Sequence, residues 1–599
     1  MARLFFLLFL FALLVRGVYA WQVRDLPTQH HLVMDARRYD DLARQIAGGD
    51  WMPREAFYQA PLYPYFLAAV YQATGGSRPA VRLLQVLLGA ATVVLLALAA
   101  RRLFGGVSGE AAGVIAGVLA ALYGPAVFQT PLLLKTTLTL FFEAAFLLLL
   151  ILREKPGQGR PFLAGLCLGL CALLQENLIL LLPVALLWLA VGRSGEAGAP
   201  RQRLASALAL LIGLGLAMAP AALLNYLAGG ELVLTSSQGG MNFFIGNARG
   251  ATGTYVGLTG GGQNPEQQRE DARELAALLA SRGSGRPVAA ANLSPAEVSA
   301  VFWRESLREI REDPAAWSRL LLWKLRLFWN AYEIPDAEGY RVYRREAGPV
   351  AWPWIGFGLL APLGLTGLLM AWRDRRPGTL LLILLTAGVC LSVVLFFVFG
   401  RYRLPIAPLL IPPAAYAAVS LAGLLRQGEI RRLAAWGAVL AIALLAVNVP
   451  AYSQAQKSGQ DAAIYVNLGT AALRWGEEEH AAFLLEMERS GRRLTPEARL
   501  RLEQAARHTS EAVHHFSKAV AASPDFFIAR VQLAVALHRR GVYLRSVGAL
   551  QPAQASFAEA RRQLVRALDS DAARKQPDAE KQARELLEVI EANLARVRR

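Results

Sequence analysis

A chain of 599 residues that is 55% hydrophobic, with a mean hydropathy of +0.34, is too apolar for an ordinary soluble protein and needs lipid as part of its solvent. Its formal charge of +18 would raise the question of nucleic acid in a soluble protein, but in a chain that crosses a membrane the positive-inside rule accounts for it, and no nucleic-acid partner is expected. Cys167, Cys171 and Cys390 all fall inside apolar runs, so neither a disulfide framework nor a zinc site is expected.

The first apolar run, 5–20, follows Arg3 and ends in Val18-Tyr19-Ala20, a pattern shared with signal peptides. Arg16 within it and Trp21 after it favour a retained helix with a snorkelling cation and an interfacial aromatic. Further runs of spanning length occupy 81–100, 111–128, 132–152, 162–174, 178–191, 204–227, 352–372, 380–399, 404–425 and 433–449. The reading is an all-α polytopic membrane protein with about eleven spans.

Alternate connections are basic: Arg101 and Arg102; Arg153, Lys155 and Arg160; Arg193, Arg201 and Arg203; Arg373, Arg375 and Arg376; Arg426, Arg431 and Arg432. Those face the cytoplasm, which puts the loop holding Asp35, the turns at Lys135 and Glu176, the stretch 230–350, the Arg401 turn and the C-terminal region together on the outer face.

Between the first two runs, Asp35, Tyr39, Asp40, Asp41 and Asp50 sit beside the membrane with several arginines and tyrosines. An aspartate near a cationic site stays ionised and can take a proton from an attacking hydroxyl. An acidic residue in a polar loop is also, more simply, solvated surface. Lys135 at the outer end of its run, Glu143 deeper in the same run and Glu176 at an outer turn are ionisable groups at membrane depth, where such groups are costly. Arg401 and Arg403 flank Tyr402 and suit a phosphate or pyrophosphate, with Lys135 adding a point charge; contact with lipid headgroups is the simpler reading.

The outer stretch opens with SSQGGMNFFIGNARGATGTY, which reads as an irregular loop, either a cover for a ligand or a connector. Ser294-Pro-Ala-Glu297 predicts a capping box, and Pro314 a second helix whose tryptophans and basic residues suit the headgroup layer or a small buried domain. From 451 the chain turns polar and helical. Ala512-x3-Phe516-x2-Ala519-x4-Pro524, Asn467-Leu468-Gly469 and Ala553-x3-Phe557-x2-Ala560 have the spacing of tetratricopeptide (TPR) helices, against a simpler reading as plain helical padding.

The order of a first span, Asp35-x3-Tyr39, Gly49-Asp50-Trp51, Tyr58-Gln59-Ala60-Pro61-Leu62-Tyr63-Pro64-Tyr65 and a late Arg401-Tyr402-Arg403-Leu404-Pro405 resembles the membrane glycosyltransferases of the C-type (GT-C) fold. It is most like bacterial family 39 and aminoarabinose-transferase-like proteins. Tyr123-Gly124-Pro125 to Lys135, Gly239-Gly240-Met241-Asn242-Phe243 and Trp329-Asn330 look like a subgroup with tetratricopeptide tails.

The resemblance implies transfer of a sugar from a polyprenyl-phosphate donor to a lipid, glycan or protein acceptor of the cell envelope, on the periplasmic side of a bacterial cytoplasmic membrane. It implies Asp35 as catalytic base, with Asp40 and Asp41 as secondary candidates, and Arg401, Arg403 and Lys135 at the donor phosphate. Tyr39, Tyr58, Gln59, Tyr63, Glu176 and Asn242 are expected to line the site. Gln59 and Ala60 stand where aminoarabinose transferases carry Glu-Lys, and Gln175 where many relatives carry Arg. No obligatory cofactor or metal is expected, although Asp35 with Asp40 or Asp41 could hold a divalent ion weakly.

Four parts follow: a membrane core 1–227 with a catalytic first outer loop 21–80, an outer insert 228–350, membrane helices 351–450, and a TPR-like domain 451–599 on the outer side that could dock a protein partner. An inactive membrane scaffold presenting that domain and a transporter of lipid-linked sugar are the alternatives.

Overall fold

The computed structural model describes residues 2–152, 157–191, 200–258, 265–284, 286–348, 354–574 and 577–598. Among them it is helical, with no strand and one isolated parallel bridge between Tyr123 and Ile355. Arg153, Lys155 and Arg193 of the basic connections and the start of the run at 352 lie outside the described residues.

Among the described residues, five helices are long and apolar enough to cross a membrane: Ala2–Gln22, Arg78–Phe104, Pro200–Gly229, Gly400–Arg426 and Ile430–Asn448. The shorter apolar helices Gly106–Leu122, Thr136–Ile151, Gly159–Leu174, Glu176–Ala190, Phe357–Arg373 and Thr379–Val394 fall on the remaining predicted runs. The chain is an all-α polytopic membrane protein.

The chain divides into two units. The first comprises Met1–Trp21, Arg38–Ile334 and Pro349–Ala451 and contains these apolar helices. In lipid, apolar burial does not drive helices together, so close backbone approach at small residues has to. A Cβ on Gly165 would lie 1.9 Å from the Leu210 carbonyl oxygen, and one on Gly213 2.0 Å from that of Phe162, so Gly159–Leu174 and Pro200–Gly229 meet backbone to backbone. Gly367, where a Cβ would come within 1.8 Å of the Pro413 carbonyl oxygen, does the same for Phe357–Arg373 and Ala407–Arg426.

Two expectations are corrected here. Arg16 does not snorkel: it is 3% exposed, and its guanidinium donates to the carbonyls of Ala120 (3.3 Å) and Ala121 (3.5 Å). Those carbonyls end the Gly106–Leu122 helix, where unpaired acceptors and the negative end of the helix dipole favour a cation. GGMNFFIGN is a helix, Gly239–Asn247, rather than an irregular loop. Its glycines serve close packing, since a Cβ on Gly240 would strike the Ser299 carbonyl and one on Gly246 that of Phe396.

The capping box at Ser294 and Glu297 is present and starts Pro295–Glu312, and Asp313 caps Pro314–Phe328. On that second helix Lys324 is fully buried rather than turned to headgroups. It donates to Asn247 Oδ1 at 2.9 Å, and burial pushes its pKa down to about 7.

The second unit joins Tyr452–Arg599 to two earlier stretches, Gln22–Arg37 and Pro335–Gly348. Its long helices pack in succession: Gln454–Arg489 on Pro496–Ala522, that on Phe527–Ser546, then Leu550–Leu568 and Pro577–Arg598. Gly469 faces the Phe516 ring and Gly541 the Phe557 ring, each so near that a Cβ would fall within 2.7 Å, so successive hairpins repeat one contact. Pro335–Gly348 is tied in by Arg341 and Arg345 to Asp461 (2.9 and 3.1 Å) and by Asn467 Nδ2 to the Ala337 carbonyl (2.7 Å).

Candidate functional site

Helix Met34–Ala47 carries the early aspartates and is strongly two-faced, because MDARRYDDLARQIA turns Ala36, Tyr39, Asp40, Ala43 and Ile46 inward. Asp40 is 1% exposed and is a structural hub. It accepts from Arg44 Nε (2.9 Å), Arg78 Nη2 (2.7 Å), Arg78 Nε (3.1 Å) and the Tyr71 hydroxyl. That pins the helix to Leu62–Thr74 and to the start of Arg78–Phe104.

Burial alone would raise the Asp40 carboxyl, but hydrogen bonds from Arg78, Tyr71 and Arg44 outweigh it and hold the group below the ordinary carboxylate range. A depressed folded-state pKa gives stability that is present above the unfolded value and lost as pH falls through the folded one. The protein is therefore expected to lose stability below about pH 4, and Asp40→Asn to flatten that limb of a pH series of denaturant midpoints. With its oxygens given to these donors, Asp40 is poorly placed as a base, and any divalent ion held with Asp35 would compete with two guanidinium groups.

Beyond this hub the chain from Asp50 to Ala60 encloses a cavity of about 430 Å³. Of the predicted site-lining residues, Tyr39, Tyr58 and Gln59 border it, together with Asp50 and the unpredicted Arg38, Arg54 and Arg269. Arg269 is on Pro265–Ser284, where Arg273 donates to Glu55 at 2.6 Å and fastens that helix to the loop. Burial, then the nearby charges of Arg273 and Arg38, lowers Arg269 to about 10, and Arg269 pairs with Glu55 as Arg273 does.

Tyr63 does not line the cavity. It is fully buried, meets Tyr39 edge to face at 5.1 Å and donates to Gln85 Oε1 at 2.7 Å. Gln85 in turn donates to the carbonyls of Thr130 and Leu132 (2.7 and 2.8 Å), shaping the irregular turn that leads into Lys135.

At that turn several predicted residues come together. Glu176 accepts from the Ser236 hydroxyl, and the Lys135 charge is near enough to act on its carboxyl. Neighbouring Gln175 donates to the Tyr402 carbonyl at 3.2 Å, which joins this turn to the Arg401 segment. The adjacent Ser237 amide donates to the Phe57 carbonyl at 2.9 Å, and Tyr58 reaches Met241 Sδ at 3.5 Å, so the cluster continues to the cavity rim and to the helix bearing Asn242.

The two arginines of RYR part company. Arg401 is 8% exposed with its guanidinium 5.3 Å from the Tyr402 ring centre. Arg403 is 2% exposed and turned into the fold: it pairs with Glu333 at 2.8 Å, donates to the carbonyls of Phe328 (2.9 Å), Asn330 and Tyr332 (3.3 Å), and lies 3.9 Å over the Phe357 ring. Both Nη nitrogens are thus engaged by the chain itself.

Asp35 lies in the first turn of Met34–Ala47, one turn before Tyr39, and its segment belongs to the second unit. Asp41 is exposed on the same helix. Glu143 is fully buried within Thr136–Ile151. Among the described residues no three His, Cys, Asp or Glu side chains gather as a metal-binding group.

Residues 58–223 match the family of dolichyl-phosphate-mannose-protein mannosyltransferases. No curated protein matches the sequence. Among solved structures the chain is similar to the apo oligosaccharyltransferase of Archaeoglobus fulgidus, with a TM-score of 0.35 and 14% identity over 74% of this chain and 55% of that one. The same enzyme tethered to an acceptor peptide containing the NVT sequon gives 0.35 and 16% over 74% and 54%. ArnT from Cupriavidus metallidurans in the apo state gives 0.31 and 16% over 69% and 78%. The chain thus spans about half the length of the archaeal enzyme. The matched segment includes Tyr58, Gln59, Lys135 and Glu176.

Proposed function

We propose that this protein transfers a sugar from a polyprenyl-phosphate donor to an acceptor of the cell envelope, at the outer face of a bacterial cytoplasmic membrane, with Asp35 as the base. What carries the reading is the meeting of Lys135, Glu176 and the Arg401 segment beside the loop where the family match begins. Lys135 and Arg401 neutralise the donor phosphate and the charge that grows on it as the glycosidic bond breaks. The cavity bordered by Tyr39, Tyr58 and Gln59 takes a sugar-sized group, with aromatic faces for its apolar side and Arg38 and Arg269 for its oxygens.

Asp35 accepts the proton of the attacking acceptor hydroxyl or amine as the new bond forms at the anomeric carbon, and the polyprenyl phosphate leaves with the electron pair. The shared unit of Gln22–Arg37, Pro335–Gly348 and Tyr452–Arg599 favours one membrane side for all three, which the charge pattern makes the outer one. The succession of hairpins, with glycine against phenylalanine in each, supports a TPR-like reading of the last stretch.

The test is a transfer assay with radiolabelled polyprenyl-phosphate sugars and envelope extract, run beside donor binding to the purified protein. Arg401→Ala combined with Lys135→Ala is expected to weaken donor binding by roughly 30-fold or more, the loss of two charge-assisted contacts. Unchanged donor affinity would remove the phosphate assignment.

A further inference from the structure

Within the second unit, the short helix Pro27–His30 rests on Gln454–Arg489. His30 stacks on Trp475 with ring centres 4.3 Å apart and planes at 30°, and Trp475 also stacks on His508 at 3.7 Å and 13°. One turn from Trp475, Glu478 lies 3.3 Å from His31 Nδ1. Thr28 and the buried Tyr343 share a hydrogen bond of 2.6 Å between their hydroxyls, so the same segment is held from a second side. A span-to-loop connection would need none of this, since loops beside a membrane are ordinarily solvated and mobile.

The segment ends at the residue given the base's role. Met34, directly before Asp35, has φ +47°, the left-handed region that a methionine keeps only where surrounding structure enforces it. An enforced backbone one residue ahead of a candidate base fixes the direction in which the following helix begins, and with it the direction of the Asp35 side chain.

We propose that the C-terminal helical unit is a positioning element for the reaction: Trp475, by clamping His30, holds the segment from Pro27 to Asp35 in the conformation that presents the carboxylate to the acceptor. This rests on Asp35 being the base. Trp475 touches no reacting atom and is a positioning residue. Helix Gln454–Arg489 thus acts on catalysis through the first loop.

The test uses the full chain in lipid nanodiscs, with hydrogen exchange of peptides covering 23–37 measured beside steady-state transfer. In Trp475→Ala, exchange across 27–36 is expected to rise roughly fivefold to tenfold, the effect of losing one aromatic stack. The turnover number falls about tenfold or more while the donor KM stays unchanged, because the base is misaimed and the donor site is intact. Trp475→Phe restores both. His30→Ala with Thr28→Val, which leaves the C-terminal helices untouched, reproduces the Trp475→Ala result, and retained protection of Pro496–Ala522 shows that the unit is folded.

Unchanged exchange in both variants, or raised exchange with unchanged turnover, would overturn the proposal. Full activity in Asp35→Asn would instead remove the base, and with it the catalytic meaning of the clamp. The exchange measurement would still decide by itself whether Trp475 holds the segment.

Discussion

Replacing Arg403 by methionine is expected to destabilise the protein by about 3–5 kcal/mol, the range for removing one partner of a buried ion pair. The size follows from what is left behind. Glu333 loses its 2.8 Å partner while its side chain is 11% exposed, and the carbonyls of Phe328, Asn330 and Tyr332 lose their donor together. Methionine fills the volume and keeps contact with Phe357, so the effect reports charge and hydrogen bonding rather than a cavity. Adding Glu333→Gln should recover about 1–3 kcal/mol, because the two sites share one network. Denaturant unfolding in mild detergent measures both, and an Arg403→Met protein as stable as the unmodified one would show that these contacts do not hold the fold.

In the second prediction, Asp35→Asn lowers the transfer rate by about 10²–10⁴, the span seen when a general base is lost, with donor binding retained. Asparagine keeps the shape of the side chain and its place in the first turn of Met34–Ala47, but it cannot take the acceptor's proton. The neighbouring aspartates make the measurement discriminating. Asp40→Asn strips acceptor charge from Arg44, Arg78 and Tyr71 and acts first on stability. Asp41 is exposed, and if Asp41→Asn carried the loss of rate with Asp35→Asn still active, the base would move six residues along the helix. Single-turnover assays on the three purified variants, each checked for donor binding, separate these cases.

Much of the fold was legible because a bilayer leaves a coarse signature: each predicted apolar run is occupied by a helix. Less legible was anything that depends on which way a side chain turns. In RYR, spacing alone could not say that Arg403 pairs within the fold while Arg401 lies beside the Tyr402 ring, because the difference is made by Glu333 and three carbonyls far away in sequence. GGMNFFIGN read as a loop because glycine has two uses, and its use for backbone contact with Ser299 and Phe396 shows only once those partners are present. Arg16 looked like a snorkelling cation because the carbonyl ends it caps come from another helix.

The cavity was half legible. Tyr39, Tyr58 and Gln59 stood out as polar and aromatic residues beside a span, whereas Arg269 sits on a helix with nothing unusual in its composition. The one available signal was Arg269 and Arg273 four apart, set against an isolated Glu55 in the aromatic loop. That pairing needs the tertiary fold before it means anything.

The second unit is assembled from three stretches separated in the chain, Gln22–Arg37, Pro335–Gly348 and Tyr452–Arg599. During synthesis the first of these leaves the ribosome long before the helices that receive it, and it must wait through the insertion of every later span. Until then His30 has no ring to stack on. A chain cut short before Gln454–Arg489 would carry the first segment without the helix that receives it. The order of translation thus makes synthesis through that helix a condition for the loop to take its final form.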